Sequence, residues 1–130
     1  MKIAAFDLKK QYQEIKSEID KNISKVINSG NFILGNELET FESTFASYCN
    51  INYGIGVGSG TDAIQIALKA FNIGYGDEVV TVPFTAVPTV TAIVMSGAKP
   101  TFVDVDENTR CMDSKSLRTY LEKHNQIKKV

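Results

Sequence analysis

The chain has few of the residues that build metal centres or disulfide frameworks. It contains one histidine, His124, and two cysteines, Cys49 and Cys111, which stand far apart and show no metal-ligand spacing. We therefore expect no metal site and no disulfide scaffold. No export signal precedes the cysteines, so we expect reduced thiols in a cytoplasmic protein.

The chain also lacks a strong charge of one sign and a long hydrophobic run. Its 14 basic and 15 acidic residues give a formal net charge of −1, which creates no positive field for nucleic acid or an anionic membrane. No apolar run is long enough to cross a bilayer. We therefore expect neither a nucleic-acid nor a membrane partner. The 43% of hydrophobic residues is ordinary for a globular protein.

Two helices are predicted at the start of the chain. Asp7 is a suitable N-cap, and apolar side chains then recur at helical spacing until residues 28–30, Asn-Ser-Gly, end the first helix. Asn36 and Glu39 predict a capping box at the start of the second helix. We therefore assign residues 1–52 to an N-terminal helical segment.

From residue 53 onwards, short apolar strands alternate with helices. The pattern predicts strands at 53–57, 78–82 and 101–105, and helices at 61–71, 88–96 and 114–123. Apolar strands separated by helices indicate an α/β fold, with a mostly parallel sheet and helices on both faces. Residues 127–130 predict the start of a further strand. We therefore expect residues 53–130 to be the first, truncated part of a larger α/β domain in a longer protein.

The turn at residues 58–63, Gly-Ser-Gly-Thr-Asp-Ala, carries the clearest functional signal. A glycine turn between a strand and a helix aims unpaired backbone N–H groups at an anion and lets the backbone approach it closely. Ser59 and Thr61 can add hydroxyl donors. The turn therefore predicts a phosphate site, and a tight turn without a ligand is the alternative.

A dinucleotide-binding turn is a rival interpretation, because residues 58–63 fit the pattern G-x-G-x-x-A. That interpretation requires a carboxylate at the end of the second strand, to hold ribose hydroxyls. The strand ends with Thr-Val-Pro at 81–83, and Asp77 and Glu78 lie at its other end. The Gly-Lys-Ser/Thr of a P-loop is also absent.

Further polar and aromatic residues follow the strand ends. Phe84 follows the second strand, at the edge where α/β sheets bind ligands, and could stack on a flat ring; composition alone favours core packing. Asp104 and Asp106 close the third strand and could act in acid–base chemistry, although capping the next turn is commoner. His124 is expected to interact with a helix dipole rather than to catalyse.

Together, these motifs resemble the N-terminal part of the DegT-type nucleotide-sugar aminotransferases. The shared pieces keep their order and spacing over nearly the whole chain, at 29–35, 58–63, 72–80, 81–93 and 97–106. The resemblance implies fold type I, the aspartate-aminotransferase-like fold of transferases that use pyridoxal 5′-phosphate. It also implies that glutamate gives its amino group to a keto sugar on a nucleotide, in a homodimer with active sites at the subunit interface.

Carried over to this sequence, the resemblance assigns cofactor binding to four residues. Gly60, Thr61 and Asp62 match the turn that holds the cofactor phosphate, and Phe84 falls near the position of a ring over the pyridine. Helix-start amides and the Thr61 hydroxyl suit a dianionic phosphate. Because the Asp62 carboxylate would repel phosphate, we expect it to point away while its N–H points in.

No catalytic residue is assigned within the chain. Transamination needs a lysine that forms the Schiff base and a carboxylate beside the pyridine nitrogen, and in the family both lie beyond Val130. Lys69 is about 12 Å along its helix from the turn, and Lys99 lies at the opposite sheet edge. We therefore expect the 130 residues alone to be inactive. A non-catalytic descendant of the fold and a nucleotide-binding oxidoreductase are the alternatives.

Overall fold

The computed structural model describes residues 5–124, which form two units that part after Gly56. The strand predicted at residues 127–130 lies outside the described residues. The first unit contains two helices and the second contains three helices and two strands. In chain order they are α1 (Leu8–Ser29), α2 (Asn36–Tyr48), α3 (Gly60–Ala70), β1 (Glu78–Thr81), α4 (Val87–Met95), β2 (Lys99–Phe102) and α5 (Ser114–Lys123).

Helix α1 begins and ends where the sequence predicts. Asp7 Oδ1 accepts the backbone N–H of Lys10 at 3.1 Å, which confirms Asp7 as the N-cap. Gly30 ends the helix in the left-handed conformation, with φ 68°, and its N–H donates to the Ile27 carbonyl at 3.2 Å. Glycine reaches this conformation without the steric cost that a side chain would add.

The capping box predicted from Asn36 and Glu39 is wrong. Asn36 is the first helical residue of α2, and Gly35 is the N-cap, without a side-chain hydrogen bond. The Gly35 carbonyl accepts the amides of Leu38 and Glu39 at 3.0 and 3.3 Å. Because Gly35 already holds the extended conformation of an N-cap, the helix starts one residue earlier than the side-chain pattern indicates.

The strand predicted at residues 53–57 is also wrong, because no strand forms there. This segment lies against α2 instead. The Gly56 N–H donates to Glu42 Oε1 at 2.7 Å, and a Cβ on Gly54 would lie 2.7 Å from the Glu42 carbonyl oxygen. An amide held by a carboxylate is not available to a neighbouring strand. The glycines permit this close approach because they have no side chain.

In the second unit, β1 and β2 are parallel and α4 connects them, which confirms the α/β fold class. The pairing runs from Glu78 opposite Lys99 to Thr81 opposite Phe102. β2 begins two residues before the predicted strand and includes Pro100. The Lys99 amide donates to the Asp77 carbonyl and the Val103 amide donates to the Thr81 carbonyl, both at 2.9 Å. Because successive backbone nitrogens of a strand point to opposite sides, the Pro100 nitrogen points away from β1. Its missing N–H therefore costs the strand pair no hydrogen bond.

The core of the second unit centres on α4. Ala92 and Ile93 are 0% and 1% exposed, and Ala98 and Val103 are also buried. α4 packs against α3 and against β2. Among residues 5–124, none of the helices combines the length and hydropathy that a bilayer crossing requires.

Glu78 links β1, β2 and α5. Its Oε1 accepts hydrogen bonds from Lys99 Nζ at 3.1 Å and from the Thr101 hydroxyl, and its Oε2 accepts the Tyr120 hydroxyl at 2.7 Å. The bonds from Thr101 and Tyr120, in that order, lower the pKa of Glu78 from 4.5 to about 2. The carboxylate therefore ties α5 to the parallel pair.

We expect Glu78→Gln to lower the free energy of unfolding by about 1–3 kcal/mol, since it removes a charged hydrogen-bond acceptor. The Glu78 pKa is lower in the folded chain, so its stabilisation is complete above pH 4.5 and is lost as the pH falls toward about 2. Urea denaturation from about pH 7 to about pH 3 measures this loss, which should be smaller in the variant.

Glu122→Gln is the matched control for this prediction. Glu122 lies exposed on α5, and its carboxylate has no hydrogen-bond or ion-pair partner in the part of the chain that the structure describes. We expect the free energy of unfolding of this variant to match that of the wild type over the same pH range. An acid-induced loss of stability equally large in wild type and Glu78→Gln would contradict the role given to Glu78.

Candidate functional site

The predicted phosphate turn is the N-terminus of α3. Ser59 is the N-cap in an extended conformation, and Gly60, Thr61 and Asp62 are the first three helical residues. Asp62 in the first turn and Lys69 in the last turn both interact favourably with the helix dipole. The structure thus brings three of the four predicted site residues together on one helical turn.

Unpaired donors are concentrated on two residues of this turn. The backbone amides of Gly60 and Thr61 have no acceptor among the described residues. The Thr61 hydroxyl has no hydrogen-bond partner among them either. The next amide, of Ala63, donates to the Ser59 carbonyl at 3.0 Å. Two N–H groups and one hydroxyl at the positive end of a helix can bind an anion.

The two glycines of the turn are not required by an unusual backbone conformation, and only Gly58 is close to another group. Neither Gly58 nor Gly60 has a positive φ. A Cβ on Gly58 would lie 3.0 Å from Oδ2 of Asp62, so this glycine leaves room for the carboxylate. A Cβ on Gly60 would meet nothing within 4 Å. The surface beside the Gly60 amide is therefore open.

The prediction that the Asp62 N–H points to an open anion site is wrong. This N–H donates to Ser59 Oγ at 3.1 Å, and Ser59 Oγ donates in turn to Asp62 Oδ2 at 2.8 Å. Capping by the Ser59 hydroxyl therefore satisfies the Asp62 amide within the turn. The Asp62 carboxylate lies on the Ser59 side of the turn.

Phe84 lies in the bend that follows β1 and is 66% exposed. Its ring has no aromatic partner among the described residues. The core-packing interpretation is therefore wrong, because most of the side chain is in contact with solvent. No hydrogen bond or ring contact within residues 5–124 joins Phe84 to the turn. Its position over a cofactor ring stays a prediction.

Asp104 and Asp106 stabilise backbone structure. Asp106 Oδ1 accepts the amides of Asn108 and Thr109 at 3.0 and 2.8 Å, which confirms the turn-capping interpretation for this residue. The amide of Thr109 contributes most to lowering the pKa of Asp106. Asp104 Oδ1 accepts the Val105 amide at 2.8 Å. The structure places no three His, Cys, Asp or Glu of residues 5–124 where they could hold a metal ion.

The basic residues considered from the sequence lie away from the turn. Lys69 is in the last turn of α3, and Lys99 forms an ion pair with Glu78 at 3.1 Å. His124 is the C-cap of α5, and its ring stacks on Tyr120 with 4.2 Å between ring centroids. Lys99 and His124 thus have partners of their own in the second unit.

The sequence profile of the DegT/DnrJ/EryC1/StrS aminotransferase family matches residues 13–127. The chain belongs to this family. The match includes the α3 turn and the strand pair, so the predicted resemblance to DegT-type aminotransferases is confirmed.

Two curated proteins are similar to this chain over most of its length. A pleiotropic regulatory protein of Geobacillus stearothermophilus is 43% identical over 113 residues, which are 87% of this chain and 30% of that protein. A dTDP-3-amino-3,4,6-trideoxy-α-D-glucose transaminase of Streptomyces venezuelae is 40% identical over 112 residues, 86% of this chain and 30% of the relative. The chain thus spans about 30% of the length of these relatives.

Two solved structures show the same fold as this chain. An aminotransferase of this family from Brucella abortus matches with a TM-score of 0.89 at 32% identity, over 97% of this chain and 35% of that chain. NtdA from Bacillus subtilis, with bound cofactor PMP, matches with a TM-score of 0.78 at 33% identity, over 82% and 24%. PMP is the amine form of pyridoxal 5′-phosphate. The predicted fold type and cofactor are therefore confirmed for the family.

Proposed function

We propose that this chain forms the phosphate-binding turn of a pyridoxal-phosphate-dependent aminotransferase that acts on a nucleotide-linked keto sugar, with glutamate as the amino donor. The observation that carries the proposal is the set of unpaired donors at the α3 N-terminus, on Gly60 and Thr61. Family membership and the sugar transaminase among the relatives support the reaction class.

The turn fits the phosphate of this cofactor in both charge and hydrogen bonding. Gly60 and Thr61 would donate to the phosphate oxygens, and the dipole of α3 favours a dianion at this end. The exposed ring of Phe84 would pack against the flat pyridine. When bound, the cofactor supplies an electron sink. The residues of this chain bind and orient it, and Asp62 acts through the geometry of the turn.

We propose that the chain alone binds the cofactor without transaminating. Lys69 lies at the far end of α3, and Lys99 is paired with Glu78. Neither amine is positioned to react with a cofactor held at Gly60 and Thr61. Transamination would then require a lysine that lies outside the sequence described here.

The active enzyme is proposed to be a cytoplasmic homodimer. Each unit leaves large apolar side chains in water, among them Phe32 and Tyr48 in the first and Tyr75 and Val87 in the second. Apolar surface of this kind is usually covered by another part of a protein or by a partner.

Comparing pyridoxal 5′-phosphate with pyridoxal, which has no phosphate, tests the proposed function. We expect the purified chain to bind the phosphate ester at least about tenfold more tightly, because charge-assisted hydrogen bonds are lost in pyridoxal. Fluorescence titration measures both affinities. Equal affinities would contradict the phosphate site. With glutamate and a nucleotide-linked keto sugar added, formation of 2-oxoglutarate by the chain alone would contradict its proposed inactivity.

A regulatory role without catalysis is the second candidate. It is supported by the 43% identity to the pleiotropic regulatory protein of Geobacillus stearothermophilus. The same assay separates the two, once the chain is joined to the remaining two thirds of a transaminase relative. A catalytic chain restores transamination in that hybrid, whereas a regulatory chain binds the cofactor and restores no activity.

A further inference from the structure

We propose that a groove between the end of β2 and one face of α5 binds an extended acidic peptide of a partner protein. The peptide has two carboxylates four residues apart and an apolar residue between them. The α5 groove has a volume of about 510 Å³. Phe102 and Val103 form its floor, and Lys115, Thr119 and Lys123 line its side. This inference is independent of the proposed function.

The α5 groove carries two positive charges without an acidic partner. Lys115 and Lys123 are exposed, and neither ammonium group forms an ion pair or a hydrogen bond within residues 5–124. Positions 115, 119 and 123 are spaced at i, i+4 and i+8, so they lie on one face of α5. No acidic residue in the described part of the chain lines the groove. Its charge therefore complements an anionic ligand.

Two carboxylates that contact residues of the α5 groove already have donors of their own. Asp113 accepts the Lys115 and Ser116 amides at 3.2 and 2.9 Å and the Ser116 hydroxyl at 2.7 Å. Glu78 accepts the Tyr120 hydroxyl at 2.7 Å, in addition to its partners on β2. Because Asp113 holds the first amides of α5, the groove offers a small anion no backbone donors at this helix start. Side-chain charges are left to select the ligand.

The remaining surface of the α5 groove is apolar or aromatic. Phe102 is 48% exposed, so its ring offers contact area to a ligand, whereas Val103 is buried. The His124 ring stacks on Tyr120 with 4.2 Å between centroids. His124 Nδ1 donates to the Tyr120 carbonyl at 2.9 Å, because a carbonyl oxygen can only accept. These contacts fix both rings before a ligand binds, which lowers the entropy lost on binding.

The spacing of the two lysines determines which peptide fits the α5 groove. Eight residues of helix separate Lys115 from Lys123 by about 12 Å along the axis. An extended peptide rises about 3.3 Å per residue with alternating side chains, so its residues i and i+4 lie on one face about 13 Å apart. Residue i+2 lies between them on the same face. A sequence Glu-x-Leu-x-Glu thus places two carboxylates at the lysines and an apolar side chain toward the floor.

The free edge of β2 does not favour binding by strand addition. The amides of Lys99 and Val103 donate to β1, so the nitrogens of Pro100 and Phe102 point to the opposite side. Pro100 has no N–H, and a proline on an edge strand interrupts the row of donors that another strand would use. The peptide is therefore held by side-chain contacts.

Fluorescence anisotropy with a labelled peptide Gly-Glu-Ser-Leu-Ser-Glu-Gly and the full chain tests the proposal. We expect saturable binding that Lys115→Gln and Lys123→Gln each weaken about two- to fivefold, the usual range for an exposed ion pair. The double variant should lose about four- to 25-fold, because distant sites add. Arg118→Gln is the matched control, since Arg118 is exposed on α5 and does not line the groove. Its affinity should equal that of the wild type.

Two further peptides test the spacing and the apolar contact. Gly-Glu-Glu-Ser-Leu-Ser-Gly has the same composition with adjacent carboxylates, and it should bind about two- to fivefold more weakly because one ion pair is lost. Replacing the leucine of the first peptide by serine should weaken binding about three- to tenfold, because contact with the half-exposed floor is lost. Raising NaCl from about 50 to about 300 mM should weaken wild-type binding by screening the charges.

Unfolding midpoints from circular dichroism separate loss of charge from loss of structure. Lys123 lies in the last turn of α5, where its charge also favours the helix dipole. If Lys123→Gln lowers the midpoint, Lys115→Gln decides the test. Lys123→Arg keeps the charge and should bind within about twofold of wild type.

Several results would overturn the proposal. Absence of saturable binding, equal affinity of the wild type and the double variant, or equal affinity for the two glutamate spacings would each do so. Displacement of the peptide by inorganic phosphate, beyond the effect of NaCl at equal ionic strength, would instead assign the α5 groove to a small anion. A wild-type dimer in analytical ultracentrifugation that the double variant does not form would assign it to a second copy of the chain.

Discussion

We expect Thr61→Ala to weaken the binding of pyridoxal 5′-phosphate by about 10- to 100-fold, because a hydrogen bond to a charged group contributes about 1.5–3 kcal/mol. The Thr61 hydroxyl has no partner among the described residues, so its removal breaks no bond of the ligand-free fold. The effect should therefore fall on binding and leave the unfolding transition unchanged. Fluorescence titration and urea denaturation measure the two quantities.

Two further variants are controls: one keeps the hydroxyl at position 61, and the other removes a threonine hydroxyl away from the turn. Thr61→Ser keeps the hydroxyl and should bind within about threefold of wild type. Thr119→Ala removes an exposed hydroxyl of α5 that has no hydrogen-bond partner in the described part of the chain, and it should not affect binding. Wild-type affinity in Thr61→Ala would show that the phosphate does not contact this side chain.

Ile93→Ala is expected to lower the free energy of unfolding of the second unit by about 2–5 kcal/mol. Ile93 is 1% exposed and is the largest fully buried side chain, in the helix that packs on both α3 and β2. Truncation removes buried apolar contacts and leaves a cavity. Since small domains are stable by only about 5–15 kcal/mol, this loss is a large part of the total.

The neighbouring residue provides the control for the core. Val94 is 56% exposed on the same helix, so Val94→Ala should change the unfolding free energy by no more than about 0.5 kcal/mol. Urea denaturation of the three proteins gives the comparison. A midpoint for Ile93→Ala equal to that of wild type would mean that α4 is not the centre of the core.

Local sequence signals predicted all five helices that the structure describes. Asp7 and Gly30 mark the two ends of α1, and α5 occupies 114–123 as predicted. The prediction of a strand at 53–57 was wrong for a non-local reason. Its apolar pattern is that of a strand, but the Gly56 amide is held by Glu42, fourteen residues earlier in the chain. A sequence pattern gives the backbone a preference and does not identify its hydrogen-bond partner.

In the candidate site, too, the local backbone structure was predictable and the hydrogen-bond partners were not. The glycine spacing and the helix start predicted a phosphate turn at Gly60, Thr61 and Asp62, and the structure places all three at the start of α3. That this turn binds an anion stays a prediction. The pairing of Ser59 with Asp62 was missed, because the same side chains can bind a ligand or each other. Only the folded geometry decides between these two uses. The partner assignment of each hydroxyl therefore could not be predicted from residue type.

The structural role of Glu78 was also not predicted from the sequence. From the sequence it was considered only as an acid at the wrong end of a strand for binding ribose. Its partners Thr101 and Tyr120 are 23 and 42 residues away in the chain. No periodic pattern connects residues at such separations. A titratable group that joins three elements becomes visible only once the strand register and the packing of α5 are known.

A crystal structure of the protein with pyridoxal 5′-phosphate would test most directly whether the α3 turn holds the cofactor. We predict phosphate oxygens about 2.7–3.1 Å from the amide nitrogens of Gly60 and Thr61 and from Thr61 Oγ1. Ser59 Oγ should remain bonded to Asp62. A phosphate bound elsewhere on the chain, or a turn whose amides face other protein atoms in the complex, would contradict the account.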